Sequence, residues 1–134
     1  MEYLSLEDPE SMRAEILDLY GSVNWQRYTE DPDQLIRALD ASDVVIAMEG
    51  DNLVGLARAV SDGETIVYVQ DLLVRPSAQR QGVATQLMTW LLEPYAAVKQ
   101  KILLTDDKED QRLFYESLGF SIVSGELRAF YRFD

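Results

Sequence analysis

The spacing of apolar residues changes several times along the chain, and each change marks an element. Over residues 66–74, IVYVQDLLV, β-branched and aromatic residues run almost without a break, which predicts a largely buried strand. From Gly82 onward the apolar residues fall at helical spacing instead (Val83, Leu87, Trp90, Leu91), so a helix opens on a glycine just after a polar turn. That helix should lose regularity at Glu93-Pro94, because proline lacks the N–H that an interior position donates to the preceding turn. A short strand over 101–104 follows. Strand, helix, strand in that order is a right-handed crossover, which predicts that the two strands are parallel.

The flanks follow the same logic. Residues 1–6 suit a first strand. Asp8-Pro9 opens a helix to about residue 20 that carries Met12, Ile16 and Leu19 on one face, with Gly21 as its stop. The stretch 22–30, with Trp25 and Tyr28, has no period. Asp31-Pro32-Asp33 starts a second helix bearing Leu35, Ile36 and Leu39. Strands over 44–48 and 53–60 meet at Gly50-Asp51-Asn52, and Ser61-Asp62-Gly63 turns into the central strand, giving an antiparallel meander. Arg58 interrupts an apolar strand and is expected on its exposed face, pairing with Asp71 being the alternative. A last helix over 109–118 has acidic residues at its start, Phe114 and Leu118 inward and Gly119 as its stop; strands over 120–124 and 128–133 would finish the sheet. The prediction is a single α/β domain over 1–134, with a mixed, mostly antiparallel sheet of about six to seven strands flanked by helices.

Composition narrows the chemistry. The 134 residues contain neither cysteine nor histidine. That excludes a disulfide framework, a cysteine nucleophile, a serine–histidine dyad and an ordinary zinc site, and leaves acid–base work to Asp, Glu, Tyr, Lys or water. The net charge of −12 disfavours nucleic acid phosphates and anionic membranes and favours cationic amines near the surface. No apolar run approaches the about 18 residues of a membrane span, and Met1-Glu2-Tyr3 lacks the basic start of a signal peptide, so a cytoplasmic protein is expected.

Candidate chemistry concentrates in the turn Gln79-Arg80-Gln81-Gly82-Val83-Ala84. A helix start leaves its first N–H groups without partners at the positive end of the dipole, so a turn of this shape can hold pyrophosphate. Gly82 lets the backbone come close, and small Ala84 keeps the next approach clear. Arg75 and Arg80 flank the turn; Arg80 is the better candidate for a ligand contact, and either can equally be a solvated surface arginine. A packing glycine in an ordinary strand–helix turn is the alternative for Gly82.

The stretch resembles the acyl-coenzyme A motif of the GNAT superfamily of N-acetyltransferases, Q/R-x-x-G-x-G/A, matched by Gln79, Gly82 and Ala84. Asp71-Leu72-Leu73-Val74 before the turn, QRQGVATQL across it and the later FYESLGF extend the resemblance over about residues 44–123. It implies a GNAT fold whose parallel central strands splay around acetyl-CoA, and direct acetyl transfer to a primary amine through a ternary complex, with no metal; the acidity of the chain, not the resemblance, favours a small-molecule amine as the acceptor. The cofactor contacts it implies are Leu72, Leu73 and Val74, near a bulge whose backbone N–H faces the thioester oxygen, then Gln79, Arg80, Gln81, Gly82, Val83, Ala84 and Thr85 on the turn, with Tyr115 and Lys108. Lys108 stands where members commonly have asparagine, which weakens the contact from the last helix. Tyr115 of FYESLGF matches the tyrosine often used as general acid; the alternative is a half-buried tyrosine packed beside Phe114. Asp71 is the one carboxylate on the strand that often carries the base, and it can equally hold a cationic amine or pair with Arg58. Trp25, Tyr28, Tyr68 and Gln70 are the candidates for the acceptor side, although Trp25 and Tyr28 can equally cap the core. Alternation sets Tyr68, Gln70 and Leu72 against Val69, Asp71 and Leu73, but a bulge shifts that locally.

Members are often dimeric, so a homodimer is an expectation. Neither G-x-G-x-x-G nor a P-loop occurs, which removes the nucleotide-fold alternatives. Two readings compete with a small-molecule transferase: a non-catalytic acyl-CoA sensor or partner-binding module, and a transferase acting on a protein N-terminus or lysine.

Overall fold

The computed structural model describes residues 1–134, apart from the side chain of Gln26. The chain forms two compact units, Met1–Leu104 and Thr105–Asp134.

The first unit is built on a five-stranded sheet in sequence order, β1 (Glu2–Ser5), β2 (Asp43–Glu49), β3 (Asn52–Ser61), β4 (Ile66–Val74) and β5 (Gln100–Leu103). The first four strands are antiparallel neighbours and β5 joins β4 in parallel, as the crossover requires. One face carries α1 (Arg13–Ser22) and α3 (Pro32–Asp40), with the short α2 (Gln26–Thr29) between them in sequence. Their Ile16, Leu19, Tyr20, Leu35, Ile36 and Leu39 pack with Val44, Ile46, Leu56 and Leu73 of the sheet. Asp31 caps α3 by accepting a hydrogen bond from the Gln34 backbone N–H at 3.1 Å, and Pro32 fits the first turn.

The other face carries α4 (Val83–Leu92), which buries Val83, Leu87, Met88 and Leu91. Trp90, expected on that face, is 48% exposed. The close approach of α4 depends on Gly55, a residue that spacing along the chain does not single out. A Cβ there would lie 2.9 Å from Leu87 Cδ1, 3.2 Å from the Leu73 carbonyl oxygen and 3.3 Å from Val83 Cγ1. Gly55→Ala should therefore destabilise the fold by about 1–3 kcal/mol in urea denaturation. An unchanged midpoint would mean that α4 does not seat on the sheet in this way.

The second unit contains α5 (Glu109–Ser117) and no strand. Phe114 and Leu118 are half-buried rather than fully inward, and Gly119 leaves the helix at φ +92°. The sheet thus has five strands, not six to seven, and residues 120–124 and 128–133 form none. Apolar alternation gives a segment the face of a strand but supplies no neighbour to pair with. The first helix also differs, opening as a 3-10 turn over Pro9–Met12 and continuing through Gly21 to Ser22. A glycine inside a helix costs only about 1 kcal/mol, which burial of Ile16, Leu19 and Tyr20 outweighs. No described helix is long and apolar enough to cross a membrane.

Candidate active site

Two features of the first unit converge on β4. The first lies where β4 leaves its parallel partner. The β4–β5 ladder ends at the pair Val69 and Leu103, so the β5-side edge of Gln70 through Val74 has no ladder partner among the described residues. On its other side β4 stays paired with β3 as far as Val74. Leu72, Leu73 and Val74 thus lie on the stretch of β4 beyond the end of the parallel ladder.

After Val74 the chain makes a 3-10 turn over Pro76–Ala78, where Gln79 Nε2 donates to the Val74 carbonyl at 3.0 Å and ties the turn to the strand end. Arg80 then adopts φ +64° and Gly82 φ +79°, and α4 starts with no side-chain cap. Its first intrahelical bond runs from Gln86 N to the Gly82 carbonyl at 3.1 Å, so the N–H groups of Val83, Ala84 and Thr85 precede the ladder. Two left-handed residues flanking Gln81, followed by N–H groups outside the ladder and the positive end of a helix dipole, make the kind of backbone turn that can hold an anion. Gly82 is not a packing glycine: a Cβ there would meet nothing within 4 Å. It serves the left-handed backbone and leaves the approach open. Gln79, Arg80, Gln81, Gly82 and Thr85 are exposed, Ala84 is half-buried and Val83 is core.

The flanking arginines divide. Arg75 donates from Nε to the Leu53 carbonyl at 2.6 Å and pairs through Nη1 with Asp18 at 2.8 Å, which occupies it locally. Arg80 pairs with none of the described residues and stands exposed beside the turn.

The second feature is a buried polar cluster under α1 and α2. Arg58 is not on an exposed face; it is 7% exposed and its Nε donates to Asp71 Oδ2 at 2.7 Å. Asp71, 1% exposed, also accepts from the Tyr20 hydroxyl at 2.9 Å and the Tyr28 hydroxyl at 3.1 Å. Gln70 Nε2 donates to the Tyr28 hydroxyl at 3.1 Å, and Arg58 Nη1 reaches Ser42 Oγ at 3.4 Å. A charge in an apolar strand is tolerable in this setting because its partner and the surrounding hydroxyls are buried with it.

A β-bulge assembles this cluster. Arg58 pairs with Asp71 and Ala59 with Val69, leaving Gln70 as the extra residue. The irregularity therefore sits at Gln70, not at Leu72 to Val74. It breaks simple alternation, so that Gln70 and Asp71 both reach Tyr28, while Leu72 opposes Ala57 on the α4 face with Gly55. Trp25, Tyr20 and Tyr28 stack on one another with ring centroids 5.3 to 6.0 Å apart, and Trp25 and Tyr28 also pack against the core. Both the core-capping and the site-lining readings of these rings are thus compatible with one arrangement.

Burial, then the nearby Asp71 charge, pushes the Tyr20 hydroxyl well above the ordinary tyrosine range; the same causes in the same order raise Tyr28. Burial also raises Tyr68, which is half-buried. These tyrosines are neutral donors near pH 7. Above about pH 10 an unfolded tyrosine loses its proton while native Tyr20 keeps it, so stability falls as pH rises, by up to about 1.4 kcal/mol per pH unit for each such group. Tyr20→Phe should flatten the alkaline fall in urea stability by about one proton's worth, and an unaltered slope would contradict its burial as a neutral phenol.

In the second unit, Lys108 precedes α5 and makes no side-chain cap. Tyr115 packs edge-on against Phe114 and Phe120, with centroids 5.0 and 6.0 Å away, and burial raises its hydroxyl pKa.

Comparison with known proteins accords with this layout. The family model described as an acetyltransferase (GNAT) domain matches residues 40–122. A GNAT-family acetyltransferase of Streptococcus pneumoniae is 33% identical over 98% of each chain, with a TM-score of 0.77. An aminoglycoside acetyltransferase from an uncultured soil metagenomic sample, solved with trehalose, is 20% identical over 99% of this chain and 96% of its own, with a TM-score of 0.73. AAC(6')-Iy, in complex with the bisubstrate analogue CoA-S-monomethyl-acetylneamine, is 19% identical over 99% and 97%, with a TM-score of 0.69. The last two likenesses concern fold alone. No curated protein sequence matches the chain significantly. With a family model spanning most of the chain and a relative 33% identical over 98% of each chain, the protein belongs to the GNAT superfamily of acetyltransferases and is an acyltransferase.

Proposed function

We propose that the chain, acting as one acetyltransferase domain, moves the acetyl group of acetyl-CoA to a primary amine of a small cationic molecule by direct transfer in a ternary complex. The observation that carries this reading is the uncapped, left-handed start of α4 beside the free edge of β4. The main chain from Arg80 to Thr85 would hold the pyrophosphate, with Arg80 adding charge and Gln79 bracing the turn against Val74. Main-chain N–H groups of the Gln70–Val74 edge, the region of Leu72 to Val74, would favour the oxyanion of the tetrahedral intermediate. Lys108 would offer a further cation to the cofactor.

In the reaction the amine nitrogen forms a bond to the thioester carbonyl carbon, the carbon–sulfur bond breaks, and the thiolate takes a proton while the amine releases one. Tyr115 is assigned as the donor to the thiolate. Its raised pKa keeps it protonated at neutral pH and leaves the sulfur the weaker base. Tyr115→Phe should leave acetyl-CoA affinity within about twofold and lower kcat by about ten- to a hundredfold, toward the low end for general acids because a thiolate already leaves readily. Unchanged turnover would remove Tyr115 from the mechanism.

Asp71 is the strand's carboxylate, but both its oxygens already accept hydrogen bonds in a closed site. That favours anchoring over proton abstraction: Asp71 fixes Tyr28, whose hydroxyl in turn holds Gln70, and these two with Trp25 and Tyr68 would form the acceptor side. Aromatic faces suit an ammonium group, and the chain's net charge of −12 would draw cations toward it. Titration with acetyl-CoA followed by thiol release over a panel of amines tests the whole reading. Acetyl-CoA-dependent release with polyamines or aminosugars is the expected result; release only with peptide N-termini or lysines would overturn the acceptor class.

A further inference from the structure

The buried polar cluster of the first unit has a direction. Arg58 can only donate, and Asp71, its ion-pair partner, can only accept. Both carboxylate oxygens therefore draw protons inward: Oδ2 takes Arg58 Nε and the Tyr20 hydroxyl, and Oδ1 takes the Tyr28 hydroxyl at 3.1 Å. Tyr28 has one hydroxyl proton, and Asp71 holds it. The next group outward must then donate to the phenol oxygen, which fixes the amide of Gln70. Its Nε2 meets that oxygen at 3.1 Å, and the carbonyl oxygen Oε1 is left without a partner among the described residues.

Gln70 also stands where both ladders of β4 are interrupted. Towards β3 it is the residue left over between the pairs Arg58–Asp71 and Ala59–Val69; towards β5 it is the first residue beyond the last parallel pair, Val69–Leu103. Its exposed side chain thus lies at the opening of the strand pair, joined to the half-buried Tyr28.

We propose that Gln70 Oε1 and the remaining lone pair of the Tyr28 hydroxyl each accept one N–H of the acceptor amine, so that the two oxygens select primary over N-alkylated amines. Arg58 and Asp71 are positioning residues, which keep both oxygens lone-pair outward. The inference rests on the acetyl-transfer reading and deepens it. A deprotonated primary amine has two N–H bonds and one lone pair. With both N–H bonds held by oxygens, the lone pair is the part of the nitrogen left for the thioester carbon. A secondary amine keeps one N–H, and its alkyl group lies against an oxygen deprived of its donor, which a polar site rejects. Ring faces alone would not discriminate in this way, because a cation is attracted to them whatever its nitrogen carries.

Thiol release is measured with two matched pairs, putrescine and its N,N′-dimethyl derivative, and glucosamine and its N-methyl derivative. The wild-type protein should favour the primary member by about ten- to a hundredfold in kcat/KM, the effect of one oxygen left without its donor. Gln70→Met, a change at an exposed position, should bring the two members within about threefold by slowing the primary amine alone, with the KM for acetyl-CoA unaltered. Tyr28→Phe should act in the same way. Equal rates for both members in the wild type, or a preference kept in full by Gln70→Met, overturn the inference and leave the transfer reading standing; no release with any amine overturns the transfer reading itself. The direction of the amide is read without turnover. In nitrogen-edited NMR the Nε2 protons of Gln70, identified by their loss in Gln70→Met, should shift in Tyr28→Phe, and unmoved signals would overturn the proposed polarity.

Discussion

Arg58→Met is expected to lose about 3–5 kcal/mol of folding stability, the usual consequence of removing one member of a buried ion pair. The loss arises chiefly from what remains. Asp71, 1% exposed, would keep only the Tyr20 and Tyr28 hydroxyls as partners, with water excluded and no cation within the cluster. Arg58→Lys should recover only part of the loss, since a single ammonium cannot reproduce the contacts to both Asp71 and Ser42. Replacing Arg58 and Asp71 together by apolar residues should also recover part, leaving about 1–3 kcal/mol for each tyrosine hydroxyl deprived of its acceptor. Urea denaturation of the single and double variants forms a closed cycle. If Arg58→Met shifted stability by less than about 0.5 kcal/mol, as a surface substitution does, the buried cluster would be refuted.

The second large effect concerns binding. Gly82→Val should weaken acetyl-CoA binding by about a hundred- to ten-thousandfold, the equivalent of two lost hydrogen bonds to a charged group. The residue sits at φ +79°, where a β-branched side chain is strongly disfavoured, so the turn must rearrange and carry the following N–H groups out of line. Because a Cβ at this position meets nothing within 4 Å, the cost to the fold should stay near about 1–2 kcal/mol. Gly82→Asn separates the two causes, since asparagine tolerates the left-handed region: it should keep most of the stability and lose affinity only through side-chain bulk at the approach. Calorimetric titration of both folded variants checks this, and wild-type affinity in Gly82→Val would mean that the cofactor does not rest on this backbone.

Much of the architecture is legible in local pattern. The strand Ile66–Val74, the helix opening on Gly82, its break at Glu93-Pro94 and the parallel placement of β5 all follow from periodicity and from what glycine and proline permit. The site was less legible where it depends on pairing between distant residues. Arg58 looks like a surface charge from its neighbours in sequence; its burial becomes sensible only when the register brings Asp71 opposite and Tyr20 of α1 overhead. The bulge at Gln70 is equally hidden, since one extra residue in a ladder leaves no composition signature, yet it decides which side chains meet Tyr28. Gly55 matters because of what α4 places against it, and an isolated glycine in an apolar strand is the only trace of that contact. Residues 120–124 and 128–133 read as strands from their apolar pattern and form none, because alternation specifies a face and not a partner.

The central claim is that the backbone between Arg80 and Thr85 grips the linked phosphates of a nucleotide thioester. A crystal structure with coenzyme A measures this directly: the account predicts both phosphates within hydrogen-bonding distance of main-chain nitrogens in that turn, with the pantetheine arm running along the free edge of β4. Coenzyme A bound elsewhere, or a turn left to solvent at saturating ligand, would contradict it.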